Sequence, residues 1–206
     1  MEDLKIIKPT PVDREITLDP KNVLLSITDT KGNIEYCNEE FVEISGYEEY
    51  ELVGSAHNIV RHPDMPKVVF KLMWERLAKE QNIVAIVKNM GKTGRYYWVM
   101  TDFVIRKDDN GNITGYKAFR KPAPRKAIEA VIPFYKKLKE IEDFRGVDAA
   151  MNFFNGFFDG KNTNYDDFIE NIIVTNMREE NRAKLASKAD VKKKKVSFLR
   201  RIFDLD

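Results

Sequence analysis

A single cysteine, Cys37, stands in a chain of 206 residues. One thiol closes no disulfide within the chain and cannot build a Cys-based zinc site. Long apolar runs are missing as well: no stretch approaches the ~20 residues that cross a bilayer as a helix. The opening Met1-Glu2-Asp3-Leu4 lacks the basic-then-apolar pattern of a secretory leader, so a cytoplasmic location is the expectation. Histidine is scarce, with His57 and His62 the pair in the chain. Net charge is small, +2 from 35 Lys+Arg and 33 Asp+Glu, but uneven. Between Arg178 and Arg201 ten basic and three acidic residues give +7, which leaves the rest at −5. With ordinary apolar content and 33% charged residues, this reads as a soluble globular protein, one domain with a core plus an appendage.

Both histidines fall in one stretch, Ala56-His57-Asn58-Ile59-Val60-Arg61-His62-Pro63-Asp64-Met65-Pro66. Arg61, His62 and Asp64 crowd into four positions beside two prolines, directly before an amphipathic segment. A loop that only connects apolar elements does not need such side chains on so stiff a frame, so this is the leading site candidate. Arg61 offers a planar fork suited to phosphate oxygens. His62 can donate a hydrogen bond or stack, and Asp64 can orient Arg61 or bond a ribose hydroxyl. The plainer alternative is a surface Arg–Asp pair, worth about 0–1 kcal/mol.

Around this loop the chain divides as follows. Residues 1–21 are polar, carry Pro9, Pro11 and Pro20, and read as an N-terminal arm. Val23–Thr28 and Ile34–Cys37 are apolar runs joined by the turn residues Asp29–Asn33, a hairpin. Asn38 suits the cap of a short helix over 39–44, ended by Gly46, and 48–52 makes a second helical turn before Gly54. Pro66 suits the first turn of a longer helix with Val69, Phe70, Met73, Trp74 and Leu77 at helical spacing. Three strands follow, 83–89, 95–106 and 113–120, separated by Gly- and Asn-rich turns. Two strands, short helices, one longer helix and three strands make an α+β plan: a five-stranded antiparallel sheet with helices on one face. Beyond Pro122-Ala123-Pro124 the pattern is helical: 127–141, interrupted or kinked at Pro133, then 147–158 and 165–177. The domain boundaries are therefore placed at 22–122 for the sheet domain, 123–178 for a helical signalling or partner region, and 179–206 for a basic tail with a short amphipathic end.

Several fragments in this order resemble one family. Asn38-Glu39-Glu40-Phe41, Ser45-Gly46-Tyr47, Glu51-Leu52-Val53-Gly54, the run His57 to Pro66, Ile86-Val87-Lys88-Asn89 and Tyr97-Trp98-Val99 look like a PAS domain of the bacterial aerotaxis-receptor type. The Arg-His-Pro-Asp-Met-Pro run is the most specific of them. The resemblance spans about Asn22 to Arg120 and implies a PAS fold holding FAD, a non-enzymatic redox sensor for energy taxis. It implies that Arg61, His62 and Asp64 bind the flavin, and that His57, Asn38 and Asn89 belong to the pocket or its signalling. In the family the strand before Ile-Val-Lys-Asn often carries a Trp near the flavin. Ile83 stands at that place here, so an aromatic partner for the flavin is either missing or supplied elsewhere. The family's full-length receptor has a membrane anchor and a signalling domain. This chain resembles the split form, in which a PAS protein works with a membrane-bound methyl-accepting chemotaxis transducer.

The residues also carry readings of their own. Asn89 alternates with Val87, Ala85 and Ile83, so it is either a polar group on an apolar wall in need of a partner or the start of the Gly91–Gly94 turn. Tyr97 and Trp98 face opposite ways, one toward a pocket and the other toward a covering helix, and Trp98 is taken as the cofactor contact. Trp74 reads as helix core rather than a flavin contact, and Cys37 as a small buried hydrophobe. Two histidines also suit a non-covalent haem b, which makes a gas sensor the first alternative. A cofactor-free PAS module for protein assembly is the second. Phe153–Phe158 reads as core between helices or, if exposed, as a homodimer or transducer interface. Lys192–Lys195 comes with no DNA-binding motif, so nucleic acid is not expected. The basic tail suits solvent or an anionic membrane surface.

Overall fold

The computed structural model describes residues 8–175, together with 178 and 182. Five strands, β1 (Leu24–Thr28), β2 (Ile34–Cys37), β3 (Ala85–Met90), β4 (Tyr96–Lys107) and β5 (Ile113–Pro122), form one antiparallel sheet in the order β2-β1-β5-β4-β3. The β1–β2 and β4–β5 turns share one construction. Asp29 and Asp108 each accept the N–H groups two and four residues on, and Gly32 and Gly111 each take φ 84° at the third. A side chain that mimics backbone, followed by a left-handed glycine, closes the turn locally.

Between β2 and β3 lie α1 (Glu39–Ser45), α2 (Glu49–Leu52), a 3-10 turn (His57–Val60) and α3 (Lys67–Ala78). Asn38 caps α1 by accepting the Phe41 N–H at 3.2 Å, and it also accepts from Leu25 N and donates to Val23 O, each at 2.8 Å. One amide thereby ties the helix to β1. α3 buries Val68, Val69, Met73 and Leu77, and it also packs on the later helices of the chain. Alternation along the paired strands puts Val87, Asn89, Tyr97, Val99 and Thr101 on this inner face and Ile86, Lys88, Trp98 and Met100 on the outer one.

α4 (Arg125–Arg145) and α5 (Val147–Asp159) follow, and residues 165–175 are helical. α4 lies against the outer face beside β3: Tyr135 Oη donates to Ile86 O at 3.0 Å and meets Tyr165 Oη at 3.0 Å. The interruption expected at Pro133 does not occur, because α4 runs through it. Pro133 and Glu129, whose carbonyl loses its partner there, are both exposed, so water takes the missing bond. Phe134 packs among Phe153, Phe154, Phe157, Phe158 and Phe168 at centroid distances of 4.4–6.5 Å, so the phenylalanine cluster is core between helices. Cys37 is buried, and burial raises its thiol pKa. The tail over 183–206, including the lysine run, lies outside the described residues.

Candidate functional site

A cavity of about 330 Å³ lies between the inner face of the sheet, the 3-10 turn and α3. That is the lower end of the roughly 300–1,000 Å³ usual for small-molecule pockets. Its aromatic and apolar wall is Phe70, Met73 and Trp74 from α3, with Val87, Phe103 and Tyr116 from the strands. Trp74 therefore corrects the core expectation: it is 37% exposed, lines the cavity, and meets Tyr116 edge to face at 5.6 Å. Gly32 permits this. A Cβ there would stand 3.0 Å from Trp74 Cζ2.

The charged lining is one-sided. Lys31, Arg61, Lys67 and Arg120 line the cavity, and among the described residues no carboxylate does. Lys31, Asn58 and Lys67 are exposed and form its mouth; Arg120 is buried at its inner end. Arg120 Nη2 donates to His57 Nε2 at 2.9 Å, and Nη1 donates to Ser26 Oγ at 2.9 Å. Ser26 Oγ lies 3.2 Å from the same Nε2. A guanidinium only donates, so Nε2 accepts and His57 is a neutral imidazole with its proton on Nδ1. Burial first, then Arg120, holds the His57 pKa well below the ordinary histidine value. Burial also lowers Arg120, to about 10, a shift that Tyr97 opposes.

Polar atoms without partners face the same space. Asn89 Nδ2, Thr101 Oγ1 and Arg61 Nε are buried and make no hydrogen bond. Tyr97, opposite Asn89 in the β3–β4 register, is buried beside the Asn89 amide and does not line the cavity. Buried polar atoms without partners are rare in folded proteins and costly, so a group of them around one cavity is the complement of a polar-edged ligand.

Six of the seven residues singled out in the sequence divide between two sides of the sheet, and Asn38 belongs to neither cavity. His57, Arg61 and Asn89 line the cavity, and Arg61 and Asn89 are further joined by an antiparallel backbone bridge. Asn38 does not line it; its amide is spent on the α1 cap. Trp98 corrects the expectation made for it, since alternation along β4 puts Tyr97 inward and Trp98 in a second cavity of about 440 Å³ beneath α4. Asp64 lines that outer cavity too, accepting from Lys88 Nζ at 2.9 Å, and Lys88 lies over the Tyr96 ring at 4.3 Å. Burial raises the Asp64 pKa, but the bond and charge of Lys88 outweigh it and hold the carboxyl below its ordinary value. His62 is buried against the edge of Tyr96, and its Nδ1 accepts the Asp64 N–H at 3.1 Å. Burial and then Lys88 bring its pKa down to about 4, so its approach to the Asp64 carboxylate is not an ion pair. The polar run is thus two devices: Arg61 serves the cavity, while His62 and Asp64 clamp the loop to β3 from the far side.

Ile83 is buried and lines neither cavity, and the aromatic wall comes from Phe70, Trp74 and Tyr116 instead. Arg120, Ser26 and Thr101 were missed. The signal for Arg120 was present: it sits at even spacing with Tyr116 and Ala118 on a strand whose inner face is apolar.

With this geometry in place, comparison with known proteins gives the class. The family model described as PAS fold matches residues 34–120. The chain carries a PAS domain. Over 130 residues it is 42% identical to the aerotaxis receptor of Escherichia coli K12, a match covering 63% of this chain and 26% of that protein. The chain is thus similar to an aerotaxis receptor over more than half of its own length. The bacterioopsin transcriptional activator of Halobacterium salinarum is 24% identical over 110 residues, covering 52% of this chain and 16% of the activator. The chain thus spans about a quarter or less of the length of these relatives. Among solved structures, the light state of the Aureochrome1 LOV photoreceptor aligns at a TM-score of 0.48 and 19% identity, covering 54% of this chain and 89% of that one. The PAS domain of a protein from Colwellia psychrerythraea aligns at 0.46 and 16%, covering 49% and 86%. No helix among the described residues is long and apolar enough to cross a membrane.

Proposed function

We propose that this protein is a redox sensor for energy taxis, in which the inner cavity holds the isoalloxazine ring of FAD. The observation that carries the reading is the lining itself: four cationic side chains, no carboxylate among the described residues, an aromatic wall, and the unpartnered Asn89, Thr101 and Arg61 atoms. A flat ring with carbonyl and ring-nitrogen edges suits those donors, and a pyrophosphate suits the cations at the mouth. A cavity of about 330 Å³ suits one ring system, so the dinucleotide part would leave by the mouth past Lys31, Asn58 and Lys67. Arg61, His57, Asn89, Thr101, Arg120 and Trp74 would hold the ring, with His62 and Asp64 setting the loop that carries Arg61. The flavin would supply the redox chemistry, and this chain would supply its binding and the readout. A change in ring charge and hydrogen bonding alters the partners of Asn89 and His57, and a ligand state shifts a conformation only through such differential contacts. The shift passes through β3 to α4 and on to a membrane-bound methyl-accepting transducer.

Haem is disfavoured by the histidines. His57 Nε2 is engaged by Arg120 and Ser26, and His62 lies outside the inner cavity. The test is an absorbance spectrum of the protein purified after FAD reconstitution. Flavin bands that survive gel filtration are the expected result. A Soret band, or colourless protein after incubation with FAD and with haem, overturns the reading.

A further inference from the structure

Arg120 is 4% exposed and has no carboxylate partner among the described residues. Its guanidinium bonds are to the Ser26 hydroxyl, the Ala118 carbonyl and the His57 imidazole, and it lies 5.6 Å over the Phe41 ring. The groups around it can be taken element by element. His57 of the 3-10 turn is neutral, and Ser26 of β1 and Thr101 of β4 are uncharged. Tyr97 of β4 is buried, and burial raises its pKa, so it stays protonated. The remaining charges on the cavity among the described residues are Lys31, Arg61 and Lys67, all positive. An uncompensated buried charge costs several kcal/mol, and chains with acidic residues to spare ordinarily pair it. Among the described residues no counter-charge meets this guanidinium, which faces the cavity, so the counter-charge belongs to what the cavity takes in.

We infer that Arg120 is the charge-selecting residue of the cavity, pairing with negative charge that the flavin ring acquires on reduction, so that the reduced ring is held as its anion. The inference rests on the flavin reading above. In atoms and electrons, two electrons from a dithionite-class or hydride-class reductant and one proton, added at ring N5, give a reduced ring bearing one negative charge over N1 and the adjoining carbonyl. A second proton at N1 would neutralise it, and Arg120 takes that proton's place. His57, sharing the same guanidinium, is then a positioning residue whose hold on Arg120 differs between the two redox states.

The test is an anaerobic titration of the FAD-loaded full chain with dithionite, followed by absorbance and by midpoint potential from mildly acid to mildly alkaline pH. The wild type is expected to give the spectrum of the ionised reduced ring at every pH, with a potential that follows one proton per two electrons. Arg120→Gln is expected to show the neutral reduced ring at acid pH and to follow two protons per two electrons there, and Arg120→Lys to restore the wild-type pattern. A wild-type protein that binds flavin but gives a neutral reduced ring overturns the inference without any variant. So does flavin-loaded Arg120→Gln with wild-type spectrum and slope. A wild-type protein that takes up no flavin fails the flavin reading itself, and this inference falls with it.

Discussion

Glu142 Oε2 accepts the backbone N–H of Lys67 at 2.6 Å, joining residues 75 positions apart. Lys67 opens α3, and Pro66 before it has no side-chain group to cap the helix. A carboxylate from the far end of α4 therefore occupies the place of an N-cap, at the positive end of the α3 dipole. Because α3 sets Phe70, Met73 and Trp74 along the cavity, the helix outside the sheet holds one wall of the site inside it.

Glu142→Ala should therefore destabilise the protein by about 1–2 kcal/mol, the usual cost of losing a cap. Glu142→Gln, which keeps an acceptor, should lose less. Urea unfolding followed by circular dichroism compares the two, and equal losses would count against capping.

Arg61 and Asp64 should separate in flavin retention, although the sequence groups them. Arg61→Ala removes a cation of the cavity and should lower FAD affinity roughly tenfold or more, since a hydrogen bond to a charged group is worth about 1.5–3 kcal/mol. Asp64→Asn loosens the loop from Lys88 and should cost less affinity. Fluorescence titration with FAD gives both values; a larger loss at Asp64→Asn would reverse the assignment of the two sides.

The two tryptophans make a similar pair. Trp74→Ala strips the aromatic wall and should weaken FAD binding about tenfold, because a large buried ring area and its stacking on the flavin both go. Trp98→Phe, on the other side of the sheet, should leave affinity within about twofold, less than 0.5 kcal/mol. The same titration reads both.

Acid should destabilise the fold. His57 and His62 have folded-state pKa values below that of an unfolded histidine, His62 at about 4. Below an ordinary histidine pKa near 6.5 the unfolded chain binds protons that the folded chain refuses, so stability falls as pH drops from there toward 4, by up to about 1.4 kcal/mol per unit for each histidine. Denaturant midpoints at neutral and acid pH measure the slope. His62→Gln should reduce it, and an unchanged slope would remove His62 from the account.

The strands, short helices and turns of the PAS domain were legible because each has a local cause: alternation, a capping Asn38, an Asp-x-x-Gly-Asn turn. The polar loop was legible as a site candidate from its composition, and the structure puts Arg61 on the inner cavity. Its division was not, since period-two alternation names two faces without saying which looks inward, and Trp98 went to the wrong one. Trp74 was misjudged because helical spacing marks a face and not whether that face meets side chains or space. The even spacing of Arg120 with Tyr116 and Ala118 marked its face in the sequence, but the lack of a carboxylate within reach among the described residues shows only in the assembled sheet. Pro133 does not end α4, because a proline removes one helical bond at a cost that exposure to water offsets.

Asn89 and Lys88 are consecutive residues of β3. One amide ends in the inner cavity, and the next side chain ends on Asp64 outside it. The partition between the two compartments is one peptide thick. Rotating the strand about its own axis moves both ends together, in opposite directions, like a key seen from either side of a door. A partner seated beside Asp64 would then stand next to whatever occupies the inner chamber, and would register it with no lever, hinge or travelling domain between them.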